Sequence, residues 1–189
     1  VYNELRLLEE IHGNDPDRMP LILAHDTGWP YGRRDLYYDP ETIPEEFRQP
    51  YARGGIAVGK KRLVGNRGMN QQMCNALEEG GPRNGVMTAV EDYLAQSPIE
   101  WLMLHIPLYF GLTILATREM VNARPALASR MDHLEKQLQG SELVAVGEEL
   151  RIAEGIAFQK VHRELQEARQ RIADLEAQLG DDGNSTGAA

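Results

Sequence analysis

Apolar positions along the chain fall into two periodicities. Leu5, Leu8 and Ile11 are spaced for one face of a helix over Tyr2 to about Gly13, which ends at the glycine. After the turn Asn14-Asp15-Pro16-Asp17, the run Leu21 to Ala24 reads as a buried strand. It stops abruptly at His25-Asp26, and Thr27, Gly28 and Pro30 follow. Gly85 to Gln96 reads as a helix, with Val86, Val90, Tyr93 and Leu94 on one side and Glu91 and Asp92 on the other. Ile99 to Ile106 and Gly111 to Ala116 read as strands. The short Pro107–Phe110 connection makes them antiparallel.

Between these patterns, residues 27–84 are irregular and rich in Pro and Gly. Only Pro44–Tyr51 and Gln71–Glu79 read as short helices there. A connection this long is a functional insertion, expected to act as a lid or substrate-binding segment. Downstream, Ala126 to Leu138 reads as a helix stopped by Gly140, and a long helix follows from about Glu142 to Leu179. In its second half Phe158, Val161, Leu165, Ala168, Ile172, Leu175 and Leu179 alternate in steps of three and four. That is the seam of a left-handed coiled coil, and it predicts a homodimer or other oligomer formed through this helix. Residues 180–189, rich in Gly, Asp and Ser, are expected to be disordered.

Composition narrows the function classes. The net charge of −9 over 189 residues argues against a general nucleic-acid binder. A locally basic stretch (Arg33, Arg34, Arg48, Arg53, Lys60, Lys61, Arg62 and Arg67) reads either as a solvated loop surface or as a contact for an anionic ligand. Cys74 is the only cysteine, so the chain makes no internal disulfide and no cysteine-based zinc site. This fits a reducing, cytoplasmic setting. No apolar run approaches the roughly 20 residues that span a bilayer, so no membrane partner is expected.

His25-Asp26 carries the chemistry. In α/β sheets ligands bind beyond the carboxyl ends of strands. Asp26 is a hard oxygen donor suited to magnesium, or else a turn residue binding nearby backbone. His25 suits a general base, since imidazole titrates near neutral pH, or it closes the strand as an ordered polar group. Trp29 and Tyr31, with Tyr37 and Tyr38, either wall a substrate pocket or anchor the loop. Arg33, Arg34 and Arg83 are candidates for an anionic part of a substrate. Gly80-Gly81-Pro82-Arg83-Asn84-Gly85 precedes a helix start, where amides bind anions. It lacks the Lys-Ser/Thr ending of a phosphate loop, and a hinge is the plainer reading. His105, inside an apolar strand, reads as a satisfied core histidine. No Gly-x-Ser-x-Gly elbow accompanies His25 and Asp26, which disfavours a hydrolase.

Two motifs in order resemble a known family. Leu23-Ala24-His25-Asp26-Thr27 is similar to the fifth-strand end of a bacterial subgroup of class I S-adenosylmethionine-dependent methyltransferases. Ala89-Val90-Glu91-Asp92-Tyr93-Leu94 is similar to a helix of the same subgroup, the macrocin O-methyltransferase and cephalosporin-hydroxylase-like group. The resemblance covers about residues 1–118. It implies the back half of a Rossmann-like sheet, with Leu21–Ala24 as fifth strand. Gly85–Gln96 would be the last core helix, and the two later strands an antiparallel closing pair.

It also implies metal-assisted O-methylation of a small molecule or glycan, with Asp26 as a magnesium ligand and His25 and Asp26 as catalytic residues. Trp29, Tyr31, Arg33, Arg34 and Arg83 would bind substrate. The glycine-rich cofactor loop of that family would precede Val1, so the chain is expected to be an N-terminally truncated piece, inactive alone. The expected organisation is 1–118 methyltransferase-like, with 27–84 inserted, 119–139 a connecting helix, 140–179 a coiled-coil helix and 180–189 a tail. The competing reading is a non-catalytic dimerisation module built on the C-terminal helix.

Overall fold

A computed structural model describes residues 1–138 and 140–185, with side chains described through residue 178. The chain divides into two units, Val1–Arg151 and the helical segment from Ile152 onward. It is mixed α/β, with two small antiparallel sheets and a long C-terminal helix.

In the first unit, α1 (Tyr2–Ile11) leads into β1 (Ile22–His25). Further on come α2 (Val86–Gln96), β5 (Trp101–Ile106) and β6 (Leu112–Thr117). The first sheet has the order β1-β6-β5, with β6 antiparallel to both neighbours. The predicted antiparallel pairing of the last two strands is therefore present, and β6 is inserted between β1 and β5. Its register pairs Ile22 with Leu115 and Ala24 with Thr113, and Leu115 in turn with Met103.

Helices α1 and α2 pack on each other, and α2 on β1. The core there is Leu5, Val90, Tyr93 and Leu115, with Ile22, Ala24 and Trp101 against it. Strand alternation puts Leu23 on the opposite face of β1, where it is exposed.

One position departs from the apolar pattern of α1. Ile11 is exposed, while Glu9 is wholly buried. Its carboxylate accepts hydrogen bonds from Ser97 Oγ and from Arg6 Nη1 (3.1 Å). Ser97 Oγ in turn accepts from Ile99 N and Trp101 Nε1, both at 3.1 Å. A buried carboxylate tolerates desolvation only with such partners, and here it ties α1 to the α2–β5 corner.

Residues 27–84 fold as a second sheet of order β2-β4-β3: β2 (Leu36–Tyr37), β3 (Tyr51–Arg53) and β4 (Cys74–Ala76). Two helices were expected there. Pro44–Tyr51 holds only a single 3₁₀ turn, Glu45–Phe47, before β3 begins at Tyr51, and another 3₁₀ turn, Pro40–Thr42, precedes it. Gln71–Glu79 contains strand β4 because the buried Asn75 side chain binds the backbone around it. Its Nδ2 donates to the carbonyls of Gly54 (2.9 Å), Asn70 (3.0 Å) and Met73 (3.3 Å).

After β6, Thr117 caps a short helix α3 (Arg118–Ala123), its Oγ1 accepting from Met120 N at 3.0 Å. Helix α4 (Pro125–Leu138) packs against α3 and β5, so the expected connector is part of the first unit. Helix α5 runs over Glu142–Ser185. It is continuous through residues 180–185, where composition predicts disorder; residues 186–189 lie outside the described residues. No helix among the described residues is long and apolar enough to cross a membrane.

Candidate functional site

The end of β1 is held rigidly. Its ladder with β6 continues past the strand through Thr27 N to Gly111 O (3.4 Å) and Gly28 N to Phe110 O (2.6 Å). The two backbones pass so closely that a Cβ on Gly111, at φ +82°, would lie 2.0 Å from Gly28 N. From this mount project His25 and Asp26, with side chains 63% and 43% exposed. His25 Nδ1 lies 3.2 Å from Asp26 Oδ1. Asp26 sits in the left-handed region at φ +63°, which Asp tolerates better than most residues. The pair is thus open to solvent on a stiff support.

Around the pair the structure adds residues that sequence reading did not single out. The Phe110 ring centroid is 6.2 Å from that of His25. The Arg151 guanidinium lies over the Phe110 ring, 4.2 Å from its centroid. Arg151 also donates to Trp29 O at 3.4 Å and pairs with Glu148. Nothing in the local sequence links Arg151, within α5, to a loop forty residues earlier.

Tyr31 is buried, and its hydroxyl accepts from Asn70 Nδ2 (2.7 Å) and donates to Asn75 Oδ1 (3.2 Å). Burial pushes this phenol up to about 12. Trp29 is half-buried and joined to Pro30 by a cis peptide bond.

The three arginines have separate fates. Arg34 is fully buried, donating to the carbonyls of Ala76 and Lys61, with Glu79 3.8 Å away. It braces the insertion from inside. Arg33 forms a two-pronged pair with Glu91 on α2. Arg83 is exposed and donates to Glu46 O at 3.0 Å. Half of the basic stretch faces acidic partners, since Arg48 and Arg62 also lie near Glu41 and Glu78. The buried Arg34 departs from the expected solvated loop surface.

Helix α2 begins at the same end of the sheet. Its first amides are already bound: Gly85 N to Asp35 Oδ1, Val86 N to Tyr31 O and Met87 N to Gly32 O. The Gly80–Gly85 segment therefore offers no amide nest at this helix start for an anion. A cleft of about 570 Å³ opens between the starts of α1 and α2 and the insertion. Asp35, Arg48, Gln49, Arg83 and Asp92 line it, while His25, Asp26 and Tyr31 do not.

His105 is a satisfied histidine, as its apolar strand predicts. Its Nδ1 lies 3.1 Å from Thr113 Oγ1 and 3.4 Å from Thr27 Oγ1. Burial, with the nearby Arg33 charge, holds its pKa below the ordinary value.

For a divalent cation the donor set is short. Asp26 and His25 stand together, but no group of three or more His, Cys, Asp or Glu side chains among the described residues converges on one point. Magnesium is commonly held by one or two carboxylates with water completing its octahedron, and Asp26 offers one such carboxylate. Comparison with protein-family models, with curated proteins and with solved structures yields no match.

Proposed function

We propose that residues 1–118 form the acceptor side of an S-adenosylmethionine-dependent O-methyltransferase acting on a hydroxyl of a small molecule or glycan. One observation carries this reading: β6 lies antiparallel between β1 and β5, and His25-Asp26 stands at the carboxyl end of β1. That order, with a helix preceding β1 and another preceding β5, agrees with the closing part of the class I methyltransferase fold. The argument from fold is one of analogy; the argument from the site is chemical.

His25 Nδ1, donating to Asp26 Oδ1, leaves Nε2 free to accept a proton. In this reading Nε2 removes the proton of the acceptor hydroxyl as that oxygen attacks. Asp26 fixes the ring's tautomer and direction. Phe110, itself covered by Arg151, borders the imidazole on one side. The cofactor, when bound, supplies an electrophilic methyl group to the acceptor oxygen. No residue of this chain is assigned here to hold it.

The test is the coding sequence upstream of Val1, followed by calorimetric titration of the whole encoded protein with S-adenosylmethionine. A glycine-rich strand–helix unit upstream and saturable binding are expected. An unrelated upstream domain, or no binding by the whole protein, overturns the reading. A second reading, an association module, is favoured by the exposed apolar seam of α5.

A further inference from the structure

We infer that the Phe158–Leu175 part of α5 pairs with the same segment of a second copy of this chain, as a parallel, in-register two-stranded coiled coil. The inference stands apart from the methyltransferase reading. It rests on a seam and on the charges beside it.

Within the helical segment from Ile152 onward, the apolar side chains of the three–four repeat all face solvent. Phe158 is 73% exposed, Val161 62%, Leu165 46%, Ile172 56% and Leu175 58%. Ala168 completes the row and is also exposed. The positions between them are polar: Gln159, Lys160, Gln166, Glu167, Gln170 and Asp174. One apolar stripe on an otherwise polar helix is stabilised by a partner helix with a matching stripe.

The flanking charges choose the partner and its direction. With Phe158, Leu165 and Ile172 at the first core position, Glu164 and Arg171 fall immediately before a core layer. Arg169 and Glu176 fall immediately after the other core layer. In a parallel, in-register pair, a residue of the first kind meets the residue five places on in the partner helix. Glu164 then meets Arg169 of the second copy, and Arg171 meets its Glu176. Both contacts are between opposite charges, and symmetry repeats each. The remaining pair, Ala157 with His162, brings no like charges together. An antiparallel pair centred on this segment, with Phe158 level with Leu175, sets Glu164 beside Arg171 but Arg169 beside His162, and so makes two of the four opposite-charge contacts of the parallel pair. The fuller charge pairing favours a second copy in parallel orientation.

The test uses the full chain. Sedimentation over a range reaching about 100 µM is expected to show a monomer–dimer equilibrium. In a Cys74→Ser background, Leu175→Cys is expected to crosslink to its symmetry mate on mild oxidation, since facing core positions of parallel helices fall within disulfide reach. Glu164→Arg is expected to weaken the dimer several-fold, and adding Arg169→Glu to restore it. Circular dichroism distinguishes loss of helix from loss of association. A monomer throughout the range overturns the proposal. So does a dimer in which the Leu175→Cys variant fails to crosslink, or one that the paired charge exchange does not restore.

Discussion

Arg33 and Glu91 meet in two parallel hydrogen bonds, Nη1 to Oε2 and Nη2 to Oε1, each 2.6 Å long. The contact fastens the loop after β1 to the outer face of α2. Hydrogen bonding to Arg33 holds the Glu91 carboxyl below its ordinary value, and the same contact raises Arg33. Both side chains are nearly half exposed, so solvent screens the pair. A double-mutant cycle with Arg33→Ala and Glu91→Ala should give a coupling of at most about 1 kcal/mol. Because the folded carboxyl is depressed, the coupling is full above the ordinary carboxylate range. It is lost as pH falls through the depressed folded value. Urea melts of the four proteins at neutral and acid pH check both points.

Asn75 is the centre of the small sheet, with three carbonyls and the Tyr31 hydroxyl on one carboxamide. Asn75→Ala strands buried acceptors and should cost about 2–4 kcal/mol. Asn75→Asp should be no milder, since a carboxylate has no donor for those carbonyls. Chemical denaturation measures both.

Gly111→Ala should be far costlier than Gly13→Ala. Both glycines have positive φ, at +82° and +69°. Around Gly13 there is nothing within 4 Å of an added Cβ, so only the backbone penalty of about 1 kcal/mol applies. At Gly111 the Cβ would strike Gly28 N, and the ladder beyond β1 must part. A loss of more than about 3 kcal/mol is expected, read from thermal or urea unfolding.

Tyr31 and Tyr37, both with phenols raised to about 12 mainly by burial, should ionise late in an alkaline titration. A group raised on folding contributes stability that is intact below its unfolded value near 10. That contribution is lost as pH climbs through about 12. Ultraviolet titration followed alongside circular dichroism should show these phenols ionising together with loss of structure.

Under the proposed O-methylation, His25→Ala in the whole protein should lower the rate about a hundredfold or more while leaving stability nearly unchanged, because the side chain is largely exposed. Asp26→Asn should keep the left-handed turn, which Asn also accepts, and lower the rate through the misoriented ring. Initial rates with labelled cofactor, paired with thermal melts, separate chemistry from folding.

Much of the first sheet is legible in the sequence. The β5–β6 hairpin follows from two apolar runs and a short turn, and β1 from four apolar residues between turn signals. The second sheet is not legible, because its strands are two or three residues long and its organiser is a buried amide, Asn75. Glu9 defeats the apolar pattern of α1 for the same reason: polar partners distant in sequence satisfy it. At the candidate site, His25 and Asp26 are visible as a polar break after a strand. The Phe110–Arg151 stack is not, since it depends on where α5 returns to the β5–β6 turn.

Asp35 and Asn84 close a circuit. Asp35 N donates to Asn84 Oδ1 at 2.8 Å, and Gly85 N donates to Asp35 Oδ1 at 2.9 Å. The chain thus leaves the α/β body and re-enters it through one knot, with β2, β3 and β4 strung between. A loop tied at its base is a cassette: lengthening or replacing its interior leaves the distance between its ends unchanged, at an entropic cost that grows only slowly with length. The wall of the 570 Å³ cleft formed by Phe47, Arg48 and Gln49 belongs to that cassette, whereas the mount of His25 does not. The wall of that cleft and the His25-Asp26 pair therefore sit on parts of the chain that can diverge independently.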